Sequence, residues 1–341
     1  MPTPEPLPGT SAQLPLVAGS ADTSRRIRKT LLLAVTLAGI TVACLSPARV
    51  RTDTRFWGLV FDVGHIPMWA WLAAALLYSL PERVRPGARR QAWAFALALG
   101  CAVLVEGLQP HFGRSGSVGD VVNDALGAGL ALAGLAAWRG PAGWRWRAAH
   151  ALAVGGVFAV ALWPVYEEWR GLRWRQVNFP ILGHFEDAAE LKLWSAQGGA
   201  RGRPSHVALT RAAAAQGEQS LRVVGAAGDW AGVAYAAGRQ DWTPFRALLL
   251  EVFNPREPFT LFVRVDDDGP AGTAAGRLER GFELARGWNR LRLPLTEPDQ
   301  GAPRRPVNLK AVRRLAIFTG DGEPQRFWFL DNVHLERRGS D

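Results

Sequence analysis

Hydrophobic positions follow one pattern in the first half of the 341-residue chain and a different one in the second half. Up to about residue 170 the apolar residues form long runs, separated by short stretches rich in Pro, Gly and Arg. Each run approaches the ~20 residues that a helix needs to cross a bilayer. Beyond residue 176, apolar and polar residues alternate in short segments bounded by Gly, Pro, Asp and Asn, which is typical of strands. The pattern therefore predicts an all-α transmembrane helix bundle of about five helices, followed by an all-β antiparallel jelly-roll sandwich.

The expected domain organisation follows from these two patterns. We expect a disordered tail over residues 1–24, because Pro, Ser, Thr and Gly dominate there. A transmembrane domain is predicted over 25–169, a linker over 170–182 and the sandwich over 183–338. The first apolar run follows a basic segment and is interpreted as an uncleaved membrane helix. The four other spans are predicted at about Phe56–Leu80, Ala92–Leu108, Val118–Trp138 and Ala148–Tyr166.

Three alternatives exist for the first apolar run: a cleaved signal peptide, a lipoprotein signal ending at Cys44, or a twin-arginine export signal. The residues before Cys44 lack the Leu usually found three positions before a lipidated cysteine. The pair Arg25 and Arg26 is explained more simply as a cytoplasmic anchor. These observations favour a helix that stays in the membrane.

Basic residues between the spans predict the orientation. With the N-terminus in the cytoplasm, the inside segments carry eleven Arg and Lys residues and the outside segments carry seven. Positive charge is enriched on the cytoplasmic side of membrane proteins. Five crossings then place the C-terminal half outside the cytoplasm.

Net charge and cysteine content exclude several classes of function. The formal charge is +10, but the Arg residues lie in loops between apolar runs or are scattered over the second half, so no nucleic-acid partner is expected. The two cysteines, Cys44 and Cys101, both fall within predicted membrane helices. A disulfide in the second half and a cysteine-based metal site are therefore excluded.

Ionisable residues interrupt the apolar spans and are the main candidates for chemistry. Asp120, Asn123, Asp124 and Gly127 follow the spacing i, i+3, i+4 and i+7 and share one helical face. A carboxylate that faces lipid at the bilayer centre costs at least about 2.5–3.5 kcal/mol, so this face should point into the bundle. We expect it to border a hydrated pocket.

Further polar residues on neighbouring spans reach the same depth. Asp62 and His65 share a face of the second span, and Glu106 and Gln109 close the third. Arg114, in the loop that follows, is a natural counter-ion for Glu106 or Asp120. The sequence thus predicts one polar pocket open to the outside, formed by Asp62, His65, Glu106, Gln109, Arg114, Asp120, Asn123 and Asp124.

This order of residues, over about 30–140, resembles the VanZ-like family of bacterial membrane proteins. The resemblance is carried by Asp62 and His65, by Glu106 and Gln109, and by Arg114, Ser117, Asp120, Asp124 and Gly127. It implies a helical bundle and a role in the bacterial cell envelope, and it implies no particular reaction.

Three interpretations of the pocket remain open. Glu106, Asp120 and His65 could perform acid–base chemistry on a lipid-linked substrate. The same groups could bind a headgroup without reaction, or a network with Arg114 could only fix helix packing. The chain has no cysteine nucleophile, phosphate loop or histidine-rich metal motif, so a non-enzymatic role is favoured.

The second half resembles the galactose-binding-like jelly rolls that occur as carbohydrate-binding modules. Five segments carry the resemblance: His184–Trp194, Gly217–Val223, Asp241–Pro255, Gly287–Leu295 and Arg326–Glu336. It implies a possible structural Ca²⁺, for which Glu186, Asp187 and Asp331 hold the matching positions. Asp331 could alternatively cap a turn.

Sugar binding would require exposed aromatic rings beside polar groups. The candidates are Trp230, Tyr235 and Trp242, and each could instead belong to the core. The sequence as a whole predicts a bilayer-embedded protein with a carbohydrate-binding-like domain, accessory to cell-envelope or polysaccharide handling. Its possible partner is a glycan or a lipid-linked saccharide. The rival hypothesis is a membrane scaffold that recruits another protein and binds no glycan.

Overall fold

The computed structural model describes residues 18–45, 55–81, 87–112, 116–139, 143–198, 204–228, 230–267, 276–295 and 306–339. Within these residues the chain forms five α-helices and then two antiparallel β-sheets, so the predicted fold class is confirmed. The helices are α1 (Ala18–Leu45), α2 (Arg55–Ser79), α3 (Ala88–Leu108), α4 (Val118–Arg139) and α5 (Trp144–Asn178).

All five helices in the described part of the chain are long and apolar enough to cross a membrane. α1 begins at Ala18, inside the segment expected to be a tail, and residues 1–17 lie outside the described residues. α5 has 35 residues, or about 52 Å at 1.5 Å per residue. Residues 170–178 of the expected linker form its last turns.

The backbone divides into two compact units at the middle of α5. The helical unit extends to Leu162 without the first turn of α2, since residues 55–57 are grouped with the second unit. The rest of the second unit begins at Trp163 and contains the end of α5 with the sandwich.

Small residues allow α2, α3 and α4 to pack closely in the helical unit. Ala94, Ala98 and Ala102 recur every four residues and form a fully buried stripe on α3. Trp69 and Leu72 of α2 fill the space beside it and are also buried. Alanine stripes let helix backbones approach each other without a cavity.

Gly127 marks the closest approach of α4 to α2. A Cβ at this position would overlap the backbone carbonyl of Ile66. A Cβ at the nearby Gly129 would meet only the Phe95 ring, at an ordinary 3.7 Å. The contact between the two helices therefore requires glycine at 127 and tolerates a side chain at 129.

Two sheets face each other in the second unit. The strands are β1 (Ile181–Gly183), β2 (Trp194–Gln197), β3 (His206–Thr210), β4 (Ser220–Gly225), β5 (Gly232–Gln240), β6 (Phe245–Asn254), β7 (Phe259–Asp267), β8 (Arg277–Leu284), β9 (Gly287–Pro294), β10 (Val312–Thr319) and β11 (Arg326–Arg337). The six-stranded sheet has the order β3-β4-β11-β6-β9 with β1 paired to β11, and the five-stranded sheet has the order β2-β5-β10-β7-β8.

The sandwich core comes from the alternating positions that the sequence pattern identified. Leu261, Val263 and Val265 of β7 are fully buried, as are Leu315 and Ile317 of β10. The residues between them point to the outer face of the five-stranded sheet, since successive side chains of a strand point to opposite faces.

The C-terminal turns of α5 pack against the start of the sandwich. Gly171 lies against Lys192, where a Cβ would come within 2.7 Å of the lysine Cβ. Arg170 donates to Asp187 at 3.1 Å, and Arg175 donates to the carbonyl oxygen of Ala236 at 3.1 Å. These contacts make the end of α5 part of the second unit.

A single buried carboxylate organises the entry into the sandwich. Glu190, 1% exposed, accepts backbone N–H groups from four consecutive residues at 2.8–3.2 Å. Two of these donors bond to each carboxylate oxygen, so every strong acceptor position is used. The donors are His184, Phe185, Glu186 and Asp187.

The glycine contact predicts a difference between two neighbouring substitutions. Gly127→Ala should destabilise the detergent-solubilised protein by about 1–3 kcal/mol, because the added methyl overpacks the α2–α4 contact. Gly129→Ala is the matched control and should leave stability unchanged or slightly higher, since alanine favours helix by up to about 1 kcal/mol. Thermal unfolding of both variants checks the prediction, and equal effects would contradict it.

The carboxylate at Glu190 generates a second prediction. Glu190→Gln places an amide NH₂ against backbone donors and should weaken this segment by about 2 kcal/mol, or roughly thirtyfold in amide exchange. Hydrogen–deuterium exchange over residues 184–187 measures the effect. Glu218→Gln, at an exposed ion pair with Arg211, should leave that exchange unchanged.

Candidate functional site

The buried polar residues of the helical unit lie on the same helix faces as its apolar core. His65 precedes buried Trp69 by one turn on α2. Glu106 continues the alanine stripe of α3 one turn after Ala102, and Asp124 lies one turn before Ala128 on α4. The helical repeat therefore directs all three ionisable groups inward.

His65, Glu106 and Asp124 converge from three different helices. Each residue offers one nitrogen or oxygen atom, and these three atoms lie within 4.8 Å of one another. His65 Nδ1 and Asp124 Oδ1 are 2.8 Å apart, a hydrogen-bonding distance. The exposed fractions are 7%, 7% and 1% respectively, so the group is screened from solvent by the helices.

Two further donors fix the Glu106 carboxylate. Gln109 Nε2 donates to Oε1 at 3.2 Å, and the backbone N–H of Ser117 donates to Oε2 at 2.8 Å. Gln109 belongs to the short 3-10 helix Gln109–Phe112 that ends the third span, and it is 1% exposed. The turn between α3 and α4 therefore holds Glu106 in one orientation.

The structure brings together four of the eight residues expected in the pocket: His65, Glu106, Gln109 and Asp124. Asp62 is exposed, and its backbone carbonyl accepts from Asn123 Nδ2 at 3.3 Å. Asp120 is half-buried one turn before Asp124. Arg114 lies outside the described residues.

The charges of the group are not balanced by basic side chains in the described part of the chain. Within those residues, neither Glu106 nor Asp124 forms an ion pair with Lys or Arg. Asp124 Oδ2 is buried and accepts no hydrogen bond from the described part of the chain. An imidazole and two carboxylates so arranged can hold a proton or coordinate a cation.

The outer face of the five-stranded sheet is a second candidate site. One row across it joins Ser195, Ala234, Ala316, Arg264 and Glu279 through cross-strand neighbours. The adjacent row joins Gln197, Gly232, Phe318, Phe262 and Gly281. Small residues of β5 and β10 lie beside aromatic and charged residues in these rows, and Ala316 and Phe318 are buried among them. We call these two rows, with Trp230, the sheet face.

Trp230 borders the sheet face and is 43% exposed. Its ring lies 5.3 Å from the Phe318 ring, and the Arg264 guanidinium lies 5.0 Å from the Trp230 centroid and 4.6 Å from that of Phe318. Arg264 Nε is also 2.6 Å from Glu279 Oε2. These contacts hold the indole in place while part of its ring stays accessible.

Two of the three aromatic residues expected to contact a sugar are corrected by the structure. Tyr235 and Trp242 are both fully buried in the sandwich core, so neither has a ring face available for a ligand. Burial raises the pKa of the Tyr235 phenol to about 12. Alternation along β5 places Tyr235 inward, as the core interpretation required.

The carboxylates proposed to hold Ca²⁺ bind backbone amides. Asp331 accepts N–H groups of Ala215 and Gln216 through Oδ2, at 2.7 and 3.1 Å, and that of Asn332 through Oδ1. Glu186 accepts two N–H groups through Oε1. Asp187 caps the short 3-10 helix Ala188–Lys192. Asp331 thus caps a turn, as the alternative interpretation proposed.

The polar residues of the sheet face, Arg264 and Glu279, were not among the residues expected from the sequence to bind a ligand. Arg264 and Glu279 are directly opposite each other on β7 and β8. The alternation of Leu261, Val263 and Val265 already placed Arg264 outward, and this was the available signal. The strand pairing that unites these residues with Trp230 joins strands far apart in the sequence.

Solved structures similar to part of this chain include carbohydrate-binding modules. A family 11 module from Clostridium thermocellum, in complex with a β-1,3-1,4-mixed-linked tetrasaccharide, has 11% identity and a TM-score of 0.38, over 46% of this chain and 94% of the module. The CBM22-1 xylan-binding domain of Paenibacillus barcinonensis Xyn10C has 20% identity and a TM-score of 0.34, over 47% and 96%. No protein-family model and no curated protein matches the chain. At these identities and TM-scores, the ligands of those modules do not carry over to this protein.

Proposed function

We propose that this is a membrane-anchored glycan-binding protein whose sheet face takes the saccharide. The observation that carries the proposal is the half-exposed Trp230 ring, held beside Arg264 at the border of the sheet face. An aromatic ring offers an apolar surface for the C–H face of a sugar. Neighbouring side chains supply donors and acceptors for its hydroxyl groups.

The polar groups of the sheet face suit a hydroxyl-rich or acidic saccharide. Gln197 and Arg314 hydrogen-bond to each other on β2 and β10. Arg264 and Glu279 form a second polar pair across β7 and β8. Because each pair is already positioned, a ligand would bind without ordering long side chains first.

For the helical unit, we propose a VanZ-like bundle in a bacterial inner membrane. The convergence of His65, Glu106 and Asp124 supports it, because three motif positions far apart in the sequence form one group. The excess of basic residues in the segments assigned to the cytoplasm supports an inside N-terminus and a periplasmic sandwich. The bundle would keep the glycan-binding domain at the membrane surface, in cell-envelope or polysaccharide handling.

A protein-binding role is the second candidate, and a different surface favours it. Trp288, also 43% exposed, lies 5.3 Å from Phe253 on the outer face of the six-stranded sheet. Phe329 and Phe327 extend this aromatic surface, and Arg256 lies over the Phe327 ring. Aromatic and Arg residues are enriched at protein interfaces.

The two exposed tryptophans provide a matched test of the proposed function. Full-length protein in detergent should bind a subset of glycans on an array of neutral and acidic polysaccharides. Trp230→Ala should lower the affinity about tenfold or more, which corresponds to ~1.4 kcal/mol. Trp288→Ala removes an equally exposed ring from the other sheet and should bind like wild type.

Two results would contradict this assignment. Silence of the wild-type protein across the array favours the protein-binding role. Loss of binding in Trp288→Ala with retention in Trp230→Ala would place the site on the six-stranded sheet.

The orientation yields a separate prediction. Alkaline phosphatase fused after Asp341 should be active, because its disulfides form only outside the cytoplasm. A green fluorescent protein fused at the same position and exported unfolded should be dark. The reverse pattern would place the sandwich in the cytoplasm and remove access to an envelope glycan.

A further inference from the structure

We infer that His65, Glu106 and Asp124 form a binding site for a divalent transition-metal ion of the zinc class. This site lies in the helical unit and is independent of any ligand on the sheet face. Three features support this site: the geometry of the three donor atoms, the chemistry of the donors, and one buried oxygen that accepts no hydrogen bond from the described residues.

The donor atoms are close enough to share one ion after a small adjustment. They lie within 4.8 Å of one another. Zinc binds nitrogen and oxygen ligands at about 2.0–2.2 Å, so tetrahedral ligands are about 3.3–3.5 Å apart. Each donor atom would therefore need to move by about an ångström to bind one shared ion.

The donor set selects the class of ion. One imidazole and two carboxylates are ligands that Zn²⁺, Mn²⁺ and Fe²⁺ accept, whereas Mg²⁺ and Ca²⁺ are held by oxygen ligands alone. The group contains no thiolate, which disfavours Cu⁺. Cys44 is buried in the apolar core, outside the group of three donors.

Unsatisfied charge distinguishes this group from a network that only fixes helix packing. In a packing network each buried lone pair would have a donor, because an unpaired buried polar atom is costly. Asp124 is 1% exposed, yet its Oδ2 accepts no hydrogen bond from any residue that the structure describes. Among the described residues, Glu106 and Asp124 also have no Lys or Arg partner. A divalent cation would neutralise both carboxylates and occupy the free lone pair.

The surrounding contacts resemble those that orient metal ligands. Gln109 Nε2 and the backbone N–H of Ser117 hold the two oxygens of Glu106. Such supporting hydrogen bonds fix ligand orientation at metal sites, and their loss typically costs 10–100-fold in affinity. Three protein ligands leave a coordination position open for water or for an oxygen of a bound molecule.

The test measures metal in the full-length protein. Purified protein in detergent is stripped with chelator, dialysed, and titrated with ZnCl₂ under competition with a chromophoric chelator. We expect one high-affinity Zn²⁺ per chain by competition and by elemental analysis. Co²⁺ should replace it and give visible absorption bands from a site with nitrogen and oxygen ligands. Ca²⁺ and Mg²⁺ should not compete.

Three conservative variants test the assignment of the ligands. Glu106→Gln and Asp124→Asn keep side-chain shape but remove a carboxylate, and each should weaken Zn²⁺ binding by at least ~10-fold. Asp62→Asn removes an exposed carboxylate one turn before His65 and should bind like wild type. Thermal unfolding with and without Zn²⁺ adds a readout that does not require the variants to be as stable as wild type. Zn²⁺ should raise the melting temperature of wild type and Asp62→Asn, and it should not raise that of Asp124→Asn.

Three results would overturn the inference. The first is wild-type protein that binds no Zn²⁺, Mn²⁺ or Fe²⁺ at micromolar concentration, which would leave protons or a basic residue to balance the carboxylates. The second is equal binding by wild type and Asp124→Asn. The third combines two melting temperatures: that of the wild-type protein does not change when metal is added, and Asp124→Asn is destabilised equally with and without metal. This result would assign the group to helix packing.

Discussion

The helical unit depends on the contact between His65 and Asp124, an ionisable pair 2.8 Å apart inside apolar sequence. Removing one member from such a pair leaves an uncompensated polar group in a medium of low dielectric constant, which is far more costly than losing the same contact at a surface. The partner is 59 residues away in the chain, so the pair fixes α2 against α4. The arrangement of apolar residues around it follows from the need to keep this pair enclosed.

Enclosure requires that the helix backbones come close together. The alanine stripe on α3 and Gly127 on α4 remove the side chains that would hold the helices apart. The same residues that look inert in the sequence therefore determine how near Glu106 comes to His65. The small residues let the helices approach each other, and the polar residues one turn away provide the ionisable groups. In the sandwich, the buried Glu190 carboxylate fixes the segment after β1 by accepting hydrogen bonds from four backbone N–H groups.

Much of this arrangement follows from the sequence, because the periods that define helices and strands are local. Five apolar runs and the change to alternation after residue 176 were sufficient for the fold class, and helical spacing placed Asp124 on an inward face. Burial of Trp242 was harder to predict, since a tryptophan near a strand end can serve either as core or as ligand platform. The sheet face could not be predicted because its rows combine strands β2, β5, β10, β7 and β8, which are scattered over more than 100 residues. The four hydrogen bonds that Glu190 accepts could not be predicted either, because the position of a single glutamate in the sequence does not show which backbone N–H groups point toward it.

The junction at the end of α5 has a mechanical consequence. Contacts of Arg170, Gly171 and Arg175 hold the last turns of the helix against the sandwich. These contacts prevent free rotation of the sandwich about the chain at Asn178. Any reorientation of the sandwich relative to those turns must break these contacts. Whatever the sandwich binds is consequently held at a fixed angle to the last turns of α5.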